Sequence, residues 1–232
     1  MGLTIHYKLK FEGTSKEVEN KLKQVENKAK DMPMEFVGPL WKVNFSKSFN
    51  DEAENKRQAG EEESETYRWA KIQLEPRGFW NDDTYLPNKE VNKYWGWVVT
   101  LWTGKGCEST NIGLTTKDGY HWIGQGFTKT QYAKNFLRSH LTVIAVLEFC
   151  EKIGILEEVN DEGRYWESRN LEKLASNINE STKMIKGFLK TLKKSGFESD
   201  KINSPIEKTE NYLNVNDGSI RQTKGGNSDG EV

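Results

Sequence analysis

The sequence predicts an α+β domain over residues 1–197, a twisted antiparallel sheet covered on one face by helices near 15–32, 129–153 and 168–195. Three observations predict it. Apolar and polar residues alternate from Leu3 to Phe11, the period of a strand with one buried face. Val18, Leu22, Val25, Ala29 and Met32 then recur every three or four residues, the period of an amphipathic helix. Between Tyr67 and Phe127, short aromatic runs are punctuated by Gly and Pro, as in an antiparallel meander, before the period turns helical again.

Leu3, Ile5, Tyr7, Leu9 and Phe11 line the buried face of the first strand. Gly13 ends the alternation, and Thr14 with Glu17 three residues on makes a capping box that starts the first helix. Pro33 stops that helix. Phe36 to Phe45 reads as a second strand whose Gly38 and Pro39 place it at an edge or a bulge. From Asn50 to Glu65 almost nothing is apolar and acidic residues outnumber basic ones, the composition of a mobile insertion at 50–65. The runs YRWAKIQL, KYWGWVVTLW, ESTNIGLTT and YHWIGQGF are meander strands, with a hairpin at KDGY, where Asp118 and Gly119 suit positive φ. Phe136, Leu137, Leu141, Ile144 and Leu147 mark a buried helix ending near Gly154. Ile155 to Val159 is a short strand, Asn160 to Glu167 a loop or hairpin, and Ser168 the cap of a long final helix. Residues 198–232, rich in Ser, Asn, Gly, Lys and Glu, read as a disordered tail with Tyr212 and Leu213 among its docking points. By analogy, this element order resembles ferredoxin-like and TATA-binding-protein-like layouts, which licenses no function.

Composition narrows the function classes. Thirty-four Lys and Arg against 35 Asp and Glu give a net charge of -1, which argues against nucleic-acid binding through bulk positive charge and leaves a local basic patch open. Cys107 and Cys150 are too few for a disulfide framework and suggest a reducing compartment. Neither a signal-peptide apolar run nor a stretch approaching roughly 18 apolar residues is present, so the expectation is a cytoplasmic chain with no membrane partner.

Several constellations carry residue types suited to chemistry. TGKGCEST, Gly104 to Thr110 at its core, has phosphate-loop residues without phosphate-loop spacing, and a hairpin turn is the simpler reading. Lys105 beside Cys107 invites a lowered thiol pKa, whereas a free Cys is more often a small buried hydrophobe. His6, His121 and His140 lack metal-ligand spacings, so no metal and no cofactor is expected. His140 with Thr142 spells half of a two-histidine phosphoesterase signature, and a helix histidine with local partners is the plainer alternative. GFTKTQYA, Gly126 to Ala133, joins a strand to a helix and offers Thr128, Lys129, Thr130, Gln131 and the helix N-terminal amides to an anion. NDEGRYWESR, Asn160 to Arg169, gathers Asp161, Glu162, Trp166 and Glu167, which suits acid–base work or a ring-shaped ligand, against the plain alternative of an Asx turn and helix cap. Lys183, Lys186, Lys190 and Lys193 form a basic stripe, ordinarily a solvated face, and the tryptophans at strand spacing, Trp95 and Trp97 among them, are taken as core.

GCE at 106–108, IGL at 112–114, KTQYA at 129–133 and DEGRYWESR at 161–169 together resemble a group of functionally uncharacterised prokaryotic proteins sharing that motif order. The resemblance implies no activity and directs attention to the junction and the acidic aromatic loop. Three functions follow as expectations. The first is a cytosolic binding module for a small polar or anionic ligand, a nucleotide included, held by Lys129, Gln131, Tyr132, Asp161, Glu162, Trp166 and Glu167. The second is an interaction protein recruiting a macromolecular partner through its insertion and tail. The third is a metal-independent hydrolase or transferase with Glu162 or Glu167 as base and Lys129 stabilising negative charge.

Overall fold

The computed structural model describes residues 3–46, 74, 91–130 and 136–177, together with the backbone of two strands at 211–214 and 221–224. The acidic insertion at 50–65, the YRWAKIQL run apart from Leu74, the lysine stripe, and Gln131 and Tyr132 lie outside the described residues.

The N-terminal alternation becomes β1 (Thr4–Glu12), with Ile5, Tyr7 and Leu9 buried and the intervening residues turned the other way. α1 (Ser15–Lys30) follows at once. The Thr14 hydroxyl accepts from the Glu17 N–H at 3.4 Å while Glu17 accepts from the Thr14 N–H at 2.8 Å, the expected capping box. Val18, Leu22, Val25 and Ala29 form its buried face, and Lys28 and Lys30 in the last turn complement the helix dipole. The second expected strand is split into β2 (Phe36–Val37) and β3 (Trp41–Asn44). Both pair with β4 (Trp95–Trp102) at the sheet edge, and the register gains one residue between Val37↔Leu101 and Trp41↔Val98. Gly38 and Pro39 occupy the gap, as a bulge requires.

β4, β5 (Thr110–Thr116) and β6 (His121–Lys129) form the meander, all antiparallel. Gly119 turns the KDGY hairpin at φ +80°. Asp118 ties it down by accepting from the Tyr120 and His121 N–H groups, each at 2.9 Å. β1 then lies between β6 and β7 (Leu156–Asp161), giving a seven-stranded antiparallel sheet in the order β2-β4-β5-β6-β1-β7, with β3 beside β2 on β4.

Lys129 ends β6 and does not begin a helix, contrary to the expected span of 129–153; the described helix, α2, runs Phe136–Lys152. The strand alternation of Trp122, Gly126 and Thr128 carries on through that residue. α2 ends in a Schellman motif: Ile155 N–H donates to the Cys150 carbonyl and Gly154 N–H to that of Glu151, with Gly154 at φ +72°. Beyond β7, Ser168 closes the one-turn helix α3 (Tyr165–Ser168) and does not cap a long one. The cap belongs to Asn170, whose side chain accepts from the Lys173 N–H at 3.0 Å to start α4 (171–177). Within the expected tail, β8 (Asn211–Asn214) and β9 (Arg221–Lys224) pair antiparallel.

The two faces of the sheet have different fates. α1 and α2 bury one face in the main core, where Trp122, Ile5, Leu9, Leu22, Ile112, Leu114 and Leu147 meet and Trp95 and Trp97 pack half-buried. On the other face, Val43, Phe45, Leu74, Val91 and Val98 form a smaller core over β3, β4 and β5. Gly113 admits it, because a Cβ there would stand 2.6 Å from Leu74. Over β6, β1 and β7 that same face carries mostly polar side chains, with Phe127 and the exposed Ile123 the apolar exceptions on β6.

Candidate functional site

Register defines what those polar side chains do together. His6 lies opposite Phe127 of β6 and Asn160 of β7, and Lys8 lies opposite Gln125 and Glu158. Thr4 lies opposite Lys129, and its backbone meets Glu162 just past β7. Three rungs therefore stack along the open face: Lys129–Thr4–Glu162, Phe127–His6–Asn160 and Gln125–Lys8–Glu158. Neighbouring strands are about 4.8 Å apart and successive rungs about 7 Å. The lower two rungs line an open groove of about 260 Å³ bounded by His6, Tyr7, Lys8, Gln125, Gly126, Glu158 and Asn160. A register shift in the β1–β7 pairing at Lys8 and Leu9 falls beside it.

The groove is held by fixed polar contacts. Lys8 Nζ stands 2.6 Å from Glu158 Oε2, a half-exposed pair whose hydrogen bond raises the ammonium's pKa. Glu162 accepts from the Thr4 N–H at 2.8 Å, and its own N–H donates to the Thr4 carbonyl at 3.1 Å. Its second oxygen stands 3.7 Å from His6 Nε2, and the His6 ring tilts against Phe127 at 6.1 Å between centroids. At the far corner, Glu108 fixes Lys129 through a carboxylate contact to its N–H and an N–H bond to its carbonyl.

Directly beneath, on the helix side, lies a second polar arrangement. Asp161 pairs with Ile5 and so points opposite to Glu162. Its carboxylate accepts from the N–H groups of Gly163, Tyr165 and Trp166 and meets His140 Nε2 at 3.2 Å. His140 Nδ1 lies 3.0 Å from the Thr130 hydroxyl. Burial alone raises the Asp161 pKa, but the bonds from His140 and the backbone outweigh it and hold the carboxyl below its ordinary value. Hydroxyl, imidazole and carboxylate in line have the order of a nucleophilic triad. Thr130 and His140 have no exposure and Asp161 only 2%, so a substrate has no route to the hydroxyl. The line instead ties the ends of β6 and β7 to α2.

The candidates singled out by sequence divide across these arrangements. Lys129 and Glu162 flank Thr4 on the open face. Asp161 is buried below the sheet. Trp166 packs against the main core under the Arg169 guanidinium, 4.8 Å from its ring, while Glu167 is exposed on α3. Gln131 and Tyr132 lie outside the described residues. The thiol of Cys107 is not activated: burial first, and Glu108 as well, push it up to about 11, against the lowering that Lys105 suggests. The glycine-rich loop joins β4 to β5 as a turn, with Gly104 and Gly106 at positive φ. A Cβ at Gly104 would stand 2.4 Å from the Glu35 carboxylate, whose charge opposes a phosphate there. His121 pairs with Asp118 at 2.8 Å on the hairpin surface.

Sequence reasoning passed over His6, Lys8, Gln125, Glu158 and Asn160. The outward positions of β1 and β6 were legible from alternation, but their assembly depends on β1 pairing with two strands far along the chain. Among the described residues, no group of three or more His, Cys, Asp or Glu side chains is arranged to hold a metal, and no helix is long and apolar enough to cross a membrane. No protein-family model, curated protein or solved structure matches the chain.

Proposed function

We propose that the chain is a cytosolic binding module whose small polar ligand sits in the groove on the open face of β6, β1 and β7. One observation carries this reading. The same sheet face is sealed over β3–β5 by an apolar cluster including Leu74, yet over β6–β1–β7 it presents an imidazole, an ammonium, two amides and a carboxylate around a concavity. A few convergent polar groups in a concave site are the usual mark of a small-molecule site. Lys129 and Glu162 flank Thr4 one rung beyond His6 and are not part of the groove's lining. The test is a native mass spectrum of gently purified protein compared with the denatured mass. A reproducible small added mass, lost on denaturation and reduced in His6→Ala and Gln125→Ala, supports the module. An added mass that both variants keep places the ligand elsewhere and removes the groove from the reading.

The enzymatic alternative has one specific support, the His6 imidazole beside the Glu162 carboxylate, an arrangement that orients a general base. It requires turnover that falls in His6→Gln while ligand affinity survives. The interaction alternative rests on the insertion and tail, and truncation at residue 197 with partner capture as readout tests it.

A further inference from the structure

We infer that the groove takes a small zwitterion of the α-amino-acid type, with an ammonium and a carboxylate on neighbouring atoms, and not a nucleotide; this rests on the binding-module reading. The centre of the groove is an internal pair of opposite charges, Lys8 and Glu158, 2.6 Å apart and each about half exposed. Such a pair is weakly held and screened by solvent. A ligand with one charge that enters between them gains one partner and strands the other facing its own sign. A ligand with both charges exchanges one weak pair for two, its carboxylate on Lys8 and its ammonium on Glu158. The short reach between Lys8 and Glu158 matches charges on adjacent atoms better than charges at the ends of a chain.

The surroundings agree with that exchange. Gln125 lies on the same rung and Asn160 on the next, and each amide both donates and accepts, so they serve either charged group. Lys8 is the ammonium that lines the groove, and a phosphate dianion drawn to it would face the Glu158 carboxylate 2.6 Å from that ammonium. A volume of about 260 Å³ suits a metabolite smaller than a nucleotide, being below the ~300–1,000 Å³ of pockets for larger ligands.

Isothermal titration calorimetry of the full chain tests this with each of the twenty free L-amino acids, then with the N-acetyl and methyl-ester derivatives of whichever binds, and with AMP. The expected result is that at least one free amino acid binds, that blocking either charged end weakens it tenfold or more, and that AMP gives no heat. Lys8→Met and Glu158→Gln sit on the exposed face, and an unchanged thermal midpoint certifies their folding. Lys8→Met should then bind the free acid and its methyl ester equally, and Glu158→Gln should treat the free amine and its N-acetyl derivative alike. If AMP or a singly charged derivative binds as well as the free amino acid, the inference is overturned while the binding module stands. If no amino acid binds but native spectra show an added mass that His6→Ala releases, the zwitterion is again excluded and the groove reading survives. No heat and no retained mass overturn both.

Discussion

Tyr7 closes a gap in the sheet. Its side chain crosses from β1 over Gly126, where a Cβ would stand 2.3 Å from the phenol oxygen, and reaches β5. There the hydroxyl donates to the Asn111 carbonyl at 3.1 Å and accepts from the Asn111 N–H at 3.2 Å. Burial raises the phenol's pKa, so it remains a donor at any ordinary pH. Tyr7→Phe keeps the packed ring but strips two buried backbone groups of their partner, and each unsatisfied group costs about 1–3 kcal/mol. Urea denaturation should show a loss in that range, and an unchanged midpoint would mean water replaces the hydroxyl. Asp161 makes the second residue-scale prediction. A carboxyl held below its unfolded value contributes stability that is full above about pH 3.9 and is lost as pH falls through the lower folded value. Asp161→Asn should therefore cost about 1.5–3 kcal/mol at neutral pH, where charged hydrogen bonds are lost, and flatten the stability curve below pH 4. Some acid slope should persist, because the exposed Asp118 carboxyl is also held down, by the Tyr120 and His121 N–H groups foremost, and Glu17 by the Thr14 N–H. A variant curve parallel to the parent's below pH 4 would exclude this role.

At the scale of single elements, stability is set by ends as much as by faces. The capping box of α1 satisfies helix N–H groups that otherwise have no partner, so Thr14→Ala should cost about 1 kcal/mol by chemical denaturation. Gly154→Ala meets no neighbour within 4 Å, so any loss there isolates the backbone cost of φ +72°, about 1–2 kcal/mol. If Gly154→Ala is neutral, the Schellman turn relaxes without penalty. These two ends were readable in the sequence because capping chemistry is local: Thr14 with Glu17, and a glycine just beyond the last periodic residue. The edge strand with its bulge was readable for the same reason, since Gly38 and Pro39 act on their own backbone. Lys129 was misread because β6 ends in FTK, which lacks the strong apolar alternation of β1, and a strand-to-helix junction has no period of its own. Asn170 and Ser168 are both cap-forming residues two positions apart, and the choice between them is made by the tertiary placement of α3 against β7.

The whole molecule is organised around β1, the first strand in the chain and an interior strand of the sheet. Its hydrogen bonds run to β6 on one side and to β7 on the other, with partners as distant as Ile5 and Asp161. That placement explains why the residues lining the candidate groove were not singled out in the sequence. Lys129 and Glu162 stood out as charges in suggestive loops, whereas His6 and Lys8 read as the solvent face of an ordinary strand until β6 and β7 were laid beside them. The opposed directions of Asp161 and Glu162, one into the helix-side core and one over the open face, likewise follow from register and from nothing local. The same topology makes a prediction about cooperativity. Because β1 joins the meander to β7 and lies on the core filled by α1 and α2, the sheet cannot lose it without dividing, so its amides open only when the domain unfolds. β2, two residues long, pairs on one side only among the described residues and should open locally. Native-state hydrogen exchange read by mass spectrometry should then give β1 the slowest exchange, with a denaturant dependence matching global unfolding, and β2 exchange that is faster and nearly independent of denaturant. Should β1 exchange ahead of β4 and β5, the N-terminal strand would be a late and separable addition to a meander that is stable without it, and the groove would form and dissolve with the docking of that one strand.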